Sequence, residues 1–304
     1  MSEGVALELD SLIRLRAAAR GLELSARRRV LSVQAGGYLS VYHGRGMEFD
    51  EVRAYQPGDD ARTIDWRVTA RRGRPHTKLF REERERPVML LVDLHPGMYF
   101  GSRVQFKSVL AGRLSAVLGW AAVRAGDRVG GIVQAAGQHR EIHPTARENG
   151  LLLLLRAMVE LQPIQPDVIT PGRLDSALGR MARMALPGGM IVIFSDFREL
   201  GDNAEKYLSI MARHNDVIVA LLYDPLETAP PPAGLYRLGL NQQRMTVDTS
   251  RPSDIEQWQT QFQRHREKIR NMCSRYAIHF MEIATTDRIV PALRTGLTRH
   301  GKKQ

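Results

Sequence analysis

The chain has 304 residues, 43% hydrophobic and 25% charged, and carries a net charge of +11, which allows one large domain and a smaller one and excludes fibrous or low-complexity classes. Its longest aliphatic runs, 151–155 and 190–194, fall far short of the roughly 20 residues that cross a bilayer. The lone Cys273 excludes an internal disulfide and fits a reducing compartment, and Glu3, Glu8, Asp10 and Glu23 break any secretory signal, so the expected location is cytoplasmic.

Residues 5–35 read as helical, with Leu7, Leu12, Leu15 and Leu22 at loose helical spacing and a break at Gly36-Gly37. Residues 38–86 are rich in Gly, Arg and Asp and contain short β-like pieces, "MEFDEVRAY" and "HTKLF", so an irregular module of strands and turns is expected there. From Pro87 the texture changes. "PVMLLVD" (87–93) is apolar without alternation, as a strand buried on both faces must be. A helix over 104–125 follows, with Ser102 as its expected cap. Gly126-Asp127 turns the chain into "RVGGIVQ", and Gly137 turns it into "HREIHP".

Helices at about 147–161 and 173–185 come next. "GGMIVIFSD" (188–196) then repeats the pattern of a buried strand ending on an aspartate, and "DVIVALLYD" (216–224) does so a third time. A helix near 203–213 separates these two. A hairpin of "LYRLGL" and "RMTVDT", a long helix (254–276), a strand "IHFMEI" (278–283) and a basic helix (289–300) complete the chain. Strands alternating with helices predict a doubly wound, mostly parallel α/β sheet.

Charge is uneven. Lys and Arg against Asp and Glu count 17 to 13 over residues 1–86, 17 to 17 over 87–263, and 10 to 3 over 264–304. The basic tail is a solvated helix face or an anion-binding one, although its arginines are not interleaved with stacking aromatics.

Three places carry candidate chemistry. Asp93 and Asp196 end two buried strands; as neighbours across a switch point they would lie about 5 Å apart, where they can hold a hard cation such as Mg²⁺ or be capped by backbone N–H groups. His139, Glu141 and His143 would share one strand face, a zinc trio or the surface of an edge strand. "EVRAYQPGDDARTIDWRVTARRG" (51–73) sets Arg53, Arg62, Arg67 and Arg71 among Asp59, Asp60 and Asp65 beside the Pro57-Gly58 turn. It predicts a charge network with Trp66 as apolar anchor, and a docking surface formed by Arg53, Gly58, Asp59, Arg62, Asp65, Trp66 and Arg71. No phosphate-binding glycine loop and no G-x-S-x-G elbow is present.

The string "GRGMEFDEVRAYQPGDDARTIDWRVTARRGRPHTKLFREERERPVMLLVD", followed by "FGS", a helix and "GDRVGG", closely resembles a bacterial family of domains of unknown function, number 58. The resemblance covers roughly residues 36–200. It implies a von Willebrand factor type A-like, Rossmann-like domain over 87–304 with a basic C-terminal helix, preceded by an N-terminal helix and the Arg/Asp-rich module over 1–86. It also implies partnership with a MoxR-type AAA+ ATPase and its client protein, and a metal-ion-dependent adhesion site for Mg²⁺.

Residue by residue, the aspartates of that adhesion site match Asp93 and Asp196. Its two serines fall on His95 and Gly97, and its threonine falls on Gly172, with Thr170 the nearest hydroxyl. With those hydroxyls gone the site is degenerate, and imidazole is a poor ligand for Mg²⁺. The expectation is a non-enzymatic protein-binding adaptor with no cofactor. The alternatives are a metal-dependent hydrolase using Asp93, His95 and Asp196, and a nucleic-acid binder using the tail from Arg264 to Lys303.

Overall fold

The computed structural model describes residues 4–22, 24, 47–56, 61, 64–82, 85–165, 172–240 and 243–298. The chain divides into two compact units, one of residues 1–30 with 86–304 and one of residues 31–85.

The larger unit is a mixed α/β structure built on a six-stranded sheet. In chain order it contains α1 (Leu9–Arg14), and the smaller unit then supplies β1 (Met47–Ala54), α2 (Trp66–Arg72) and β2 (His76–Glu82). The larger unit resumes with β3 (Pro87–Leu94), α3 (Lys107–Arg124), β4 (Arg128–Ala135), β5 (His139–Thr145), α4 (Asn149–Leu161), α5 (Arg173–Met184), β6 (Met190–Ser195), α6 (Ala204–His214) and β7 (Asp216–Tyr223). It closes with α7 (Pro225–Thr228), the hairpin β8 (Leu235–Leu240) and β9 (Gln243–Asp248), α8 (Pro252–Arg275), β10 (His279–Ala284) and α9 (Ile289–Thr298).

The sheet order is β10-β7-β6-β3-β4-β5. Every pairing is parallel except that of β5 with β4. Both faces are covered, which explains the unbroken apolar runs. Val88, Leu90 and Val92 of β3 join a core with Leu114 of α3, Leu154 of α4 and Leu293 of α9. Met89 and Leu91 face the opposite way, toward Leu178 of α5, Leu208 of α6 and Ile269 of α8. Gly131 of β4 lies so near β3 that a Cβ there would fall 2.0 Å from the Leu90 carbonyl oxygen, so no side chain fits.

From β3 the chain builds outward to β4 and β5, then returns to the other side of β3 for β6, β7 and β10. The reversal lies between β3 and β6, the position where open α/β sheets form a crevice at their carboxyl ends. Among the described residues, no helix is long and apolar enough to cross a membrane.

The N-terminal segment differs from expectation in two ways. It is not one long helix but α1 followed by a 3₁₀ turn at Ala18–Gly21; the remainder of the expected helix lies outside the described residues, apart from Leu22 and Leu24. It also belongs with the sheet and not with the Arg/Asp-rich module. Leu7, Leu12 and Leu22 are buried in the sheet core, and α3 takes their backbone: Trp120 Nε1 donates to the Leu12 carbonyl and Arg124 Nη2 to that of Leu22. Carbonyls held by a neighbouring helix are lost to a continuous ladder of their own.

Ser102 does not cap α3, which starts at Lys107 with Phe106 at the cap position. Its N–H and hydroxyl instead donate to Asp224 at the end of β7, at 2.9 and 2.6 Å.

The smaller unit pairs β1 with β2 antiparallel, with a register shift between Phe49 and Glu51. The helix α2 was not expected in this module. Asp65 caps it by accepting from the N–H groups of Arg67 and Val68, and Gly73 ends it in the left-handed conformation at φ 67°.

Replacing Leu12, fully buried, with alanine is expected to destabilise the larger unit by about 2–5 kcal/mol, the usual range for a large-to-small core change. Urea unfolding followed by far-ultraviolet circular dichroism checks this; an unchanged midpoint would show that α1 is not part of the core.

Candidate functional site

The register Val92↔Phe194 between β3 and β6 sets Asp93 beside Ser195, with Asp196 one residue beyond. The two acidic strand ends therefore meet at the switch point, as their pattern predicted. Their oxygens are already engaged. Asp93 Oδ2 accepts from the Ser195 hydroxyl at 2.6 Å, and Oδ1 accepts from the His95 N–H at 3.3 Å. Asp196 Oδ1 accepts from His95 Nε2 at 2.9 Å and from the Arg198 N–H at 3.1 Å. Its other oxygen, Oδ2, accepts from Lys107 Nζ at 2.6 Å.

Lys107 is the first residue of α3, and its side chain is 1% exposed. Nζ also donates to Glu227 Oε1 at 3.1 Å, and Arg198 Nη2 reaches the same oxygen at 2.7 Å. Glu227 is held by a capping box on α7: its Oε2 accepts from the Asp224 N–H while Asp224 Oδ1 accepts from the Leu226 N–H. His265 of α8 closes the back of the cluster by donating from Nε2 to the Asp196 carbonyl at 2.7 Å.

At Gly97 and Gly172, where the family resemblance implies hydroxyls, the backbone serves the turns instead. Gly97 donates its N–H to His95 Nδ1 at 3.0 Å, within the 3₁₀ turn Pro96–Met98 that His95 caps. Gly172 sits at φ 80° ahead of α5 and donates its N–H to the Glu199 carbonyl at 2.9 Å. A threonine there would be strained, since β-branched residues avoid the left-handed region. Phe197 adopts that region, at φ 58°. Its N–H is fixed by the Ser195 hydroxyl at 2.8 Å, which turns the chain so that Asp196 and Arg198 face the cluster.

Burial and charge compete throughout. Burial pushes Asp93 up to about 6, against the pull of His95 and the Ser195 hydrogen bond. Burial acts against a charged His95 too, but Asp93, Asp196 and Glu199 outweigh it and raise its pKa to about 9. The Gly97 N–H favours the neutral ring, because it needs the Nδ1 lone pair. The carboxylates carry more weight: all three lie within 4.0 Å of the ring nitrogens, and Glu199 Oε1 stands 4.0 Å from Nδ1, placed to receive a second proton's charge. For Asp196, Lys107 and His95 overcome burial and hold the carboxyl well below the ordinary range. Asp196 and Glu227 do the same for the Lys107 ammonium, raising its pKa despite burial.

The residues present do not fit the Mg²⁺ that the family resemblance implies. Each oxygen of Asp93, Asp196 and Glu227 already accepts a hydrogen bond, and an ammonium lies against two of these carboxylates. A cleft of about 490 Å³ nearby is lined by Gly172, Asp175, Gly201, Asn203 and Tyr207, not by these residues. At the sheet edge, His139 Nε2 faces Glu141 Oε1 at 3.5 Å and Arg180 Nε faces Glu141 at 3.7 Å, both on the exposed side of β5.

In the smaller unit, Gly58, Asp59, Asp60, Arg62 and also Pro57 lie outside the described residues, as does Thr170 in the larger one. Arg53 Nη1 donates to the Ala54 carbonyl at 3.0 Å. Asp65 spends its Oδ1 on the α2 cap. Trp66 is not an anchor: it is 70% exposed, because the first turn of α2 puts it on the outer surface, with Arg67 and Arg71 exposed one turn apart. Lys107, Ser195, Arg198, Glu199 and Glu227 were absent from the sequence-based expectation. The one signal for Lys107 is a cation in the first turn of a helix, where the dipole favours an anion.

Residues 51–268 match the family described as "Protein of unknown function DUF58". Two mycobacterial proteins, the uncharacterized protein Rv1480 of Mycobacterium tuberculosis and the uncharacterized protein Mb1516 of Mycobacterium bovis, are each 32% identical to this chain over 223 residues, 73% of this chain and 69% of theirs. Among solved structures, the conserved hypothetical protein BatB from Bacteroides thetaiotaomicron is similar at 15% identity and a TM-score of 0.41, over 72% of this chain and 100% of that one.

The His95 ring is expected to titrate near pH 9, not near its ordinary 6.5. A folded pKa above the unfolded one contributes stability that is complete below pH 6.5 and lost as pH rises through about 9. Imidazole NMR signals followed over that range check the assignment; urea midpoints of the wild type should fall across it, and His95→Asn should flatten the fall. A ring that titrates at 6.5 or below would refute it.

Proposed function

The chain belongs to the DUF58 family of proteins of unknown function, and from that premise we propose that it is a non-enzymatic, cytoplasmic protein-binding adaptor. Its working crest is the carboxyl end of a von Willebrand factor type A-like sheet, and its partner is a MoxR-type AAA+ ATPase acting in the assembly or maturation of a client complex. The observation that carries this reading is the self-satisfied charge cluster at the switch point. A hydrolase needs a basic oxygen or a metal-bound water turned toward substrate, whereas the acidic oxygens of Asp93, Asp196 and Glu227 are bonded to their own neighbours.

What faces outward suits recognition. Arg198 is 39% exposed and is braced by Glu227 and Asp196. On the smaller unit, Trp66 with Arg67 and Arg71 combines an exposed aromatic with free guanidinium groups, the residue types that dominate binding energy at protein interfaces. Among the described residues, Arg67 and Arg71 make no ion pair.

Co-purification of the tagged full chain with the MoxR-type ATPase tests the proposal. A complex is expected in at least one nucleotide state, and Trp66→Ala should weaken it about tenfold or more, as for an interface hot spot, without lowering thermal stability. Recovery of no complex, with or without nucleotide, would overturn the adaptor reading.

A further inference from the structure

We infer that Lys107 is the resident cation of the crest: its ammonium occupies the space and the oxygens that a divalent ion would need, so the site is metal-independent by construction. The inference stands on the crevice geometry alone and holds whether or not the chain is an adaptor.

Three observations support it. Nζ lies 2.6 Å from Asp196 Oδ2 and 3.1 Å from Glu227 Oε1, whereas Mg²⁺ binds oxygens at about 2.1 Å. Both oxygens are thus within about 1 Å of where a dication would draw them, with the ammonium standing between. The side chain enters from the first turn of α3 and is 1% exposed, so it is not a surface lysine that can swing aside. The Phe100 ring lies over it, 5.8 Å from Nζ to the centroid, which adds a cation–π contact.

A second cation in this space meets the repulsion of Lys107 on one side and of Arg198, 3.7 Å from Asp196 Oδ2, on the other. Removing the ammonium takes the hydrogen bond from Asp196 Oδ2 and leaves Glu227 Oε1 with Arg198 Nη2 alone. One or two carboxylates completed by water make an ordinary Mg²⁺ or Mn²⁺ site. Lys107 therefore decides whether this crest takes a metal.

The test uses the full chain and Mn²⁺ as probe, read by electron paramagnetic resonance and by thermal unfolding with and without chelator. The wild type should bind no stoichiometric Mn²⁺ and unfold at the same temperature in both conditions. Lys107→Ala, which opens space as well as removing charge, should bind one equivalent at least about tenfold more tightly than the wild type, and be stabilised by it. Lys107→Met removes the charge but fills the space with an apolar chain, and should not bind. Stoichiometric binding by the wild type, or a folded Lys107→Ala variant that binds no better than the wild type, overturns the inference. Should Lys107→Ala fold only with Mn²⁺ present, that rescue supports the inference; should it fold under no condition, the wild-type titration decides alone.

Discussion

An ammonium group carried into a protein interior loses its hydration, and only opposite charge with hydrogen bonds can offset that loss. Lys107 imposes this condition on the crest of the sheet. Asp196 at the end of β6 and Glu227 on α7 converge on it, and each must itself be positioned. Asp196 is held by His95 and Arg198, Glu227 by its capping box with Asp224. Asp224 in turn accepts from Ser102, before α3, and from Thr285, after β10. The ends of β3, β6, β7 and β10 are thereby laced together by side chains from α3 and α7. Breaking a buried pair of this kind leaves an uncompensated charge, which costs far more than the pair contributes when intact.

The same interaction accounts for the conformations around it. Phe197 tolerates a left-handed backbone because the Ser195 hydroxyl holds its N–H and Asp196 holds that of Arg198. Strain of this kind persists only where surrounding contacts overdetermine it, and it gathers at sites with a task. Gly172 performs the matching turn on the neighbouring loop and ties it to Glu199 through the backbone. Gly97 and Gly172 thus serve the turns through their backbone N–H groups.

The large elements were legible because their signals are redundant. Three apolar runs, each ending on an aspartate at 93, 196 and 224, stood out against helices of clear period, and the strand-like pieces of β8 and β9 pair antiparallel as a hairpin requires. The errors came where two partners compete for one group. Ser102 is a good helix cap in isolation, yet Asp224, 122 residues away, takes it. Residues 5–35 have helical spacing, but α3 claims the Leu12 and Leu22 carbonyls. Trp66 was read as the apolar anchor of a charge network but is exposed, and α2 was missed although Asp65 and Gly73 mark both its ends. Of the crest, Asp93, His95 and Asp196 could be found from strand ends. Lys107 could not be paired with them, because nothing local says that a helix beginning at 107 points its first side chain at residue 196.

The lone antiparallel strand, β5, finishes one side of the sheet. His139, Arg140, Glu141 and His143 along it are all exposed. Polar and charged side chains on an outermost strand discourage edge-to-edge polymerisation. They guard that flank of a long apolar sheet against seeding cross-β growth.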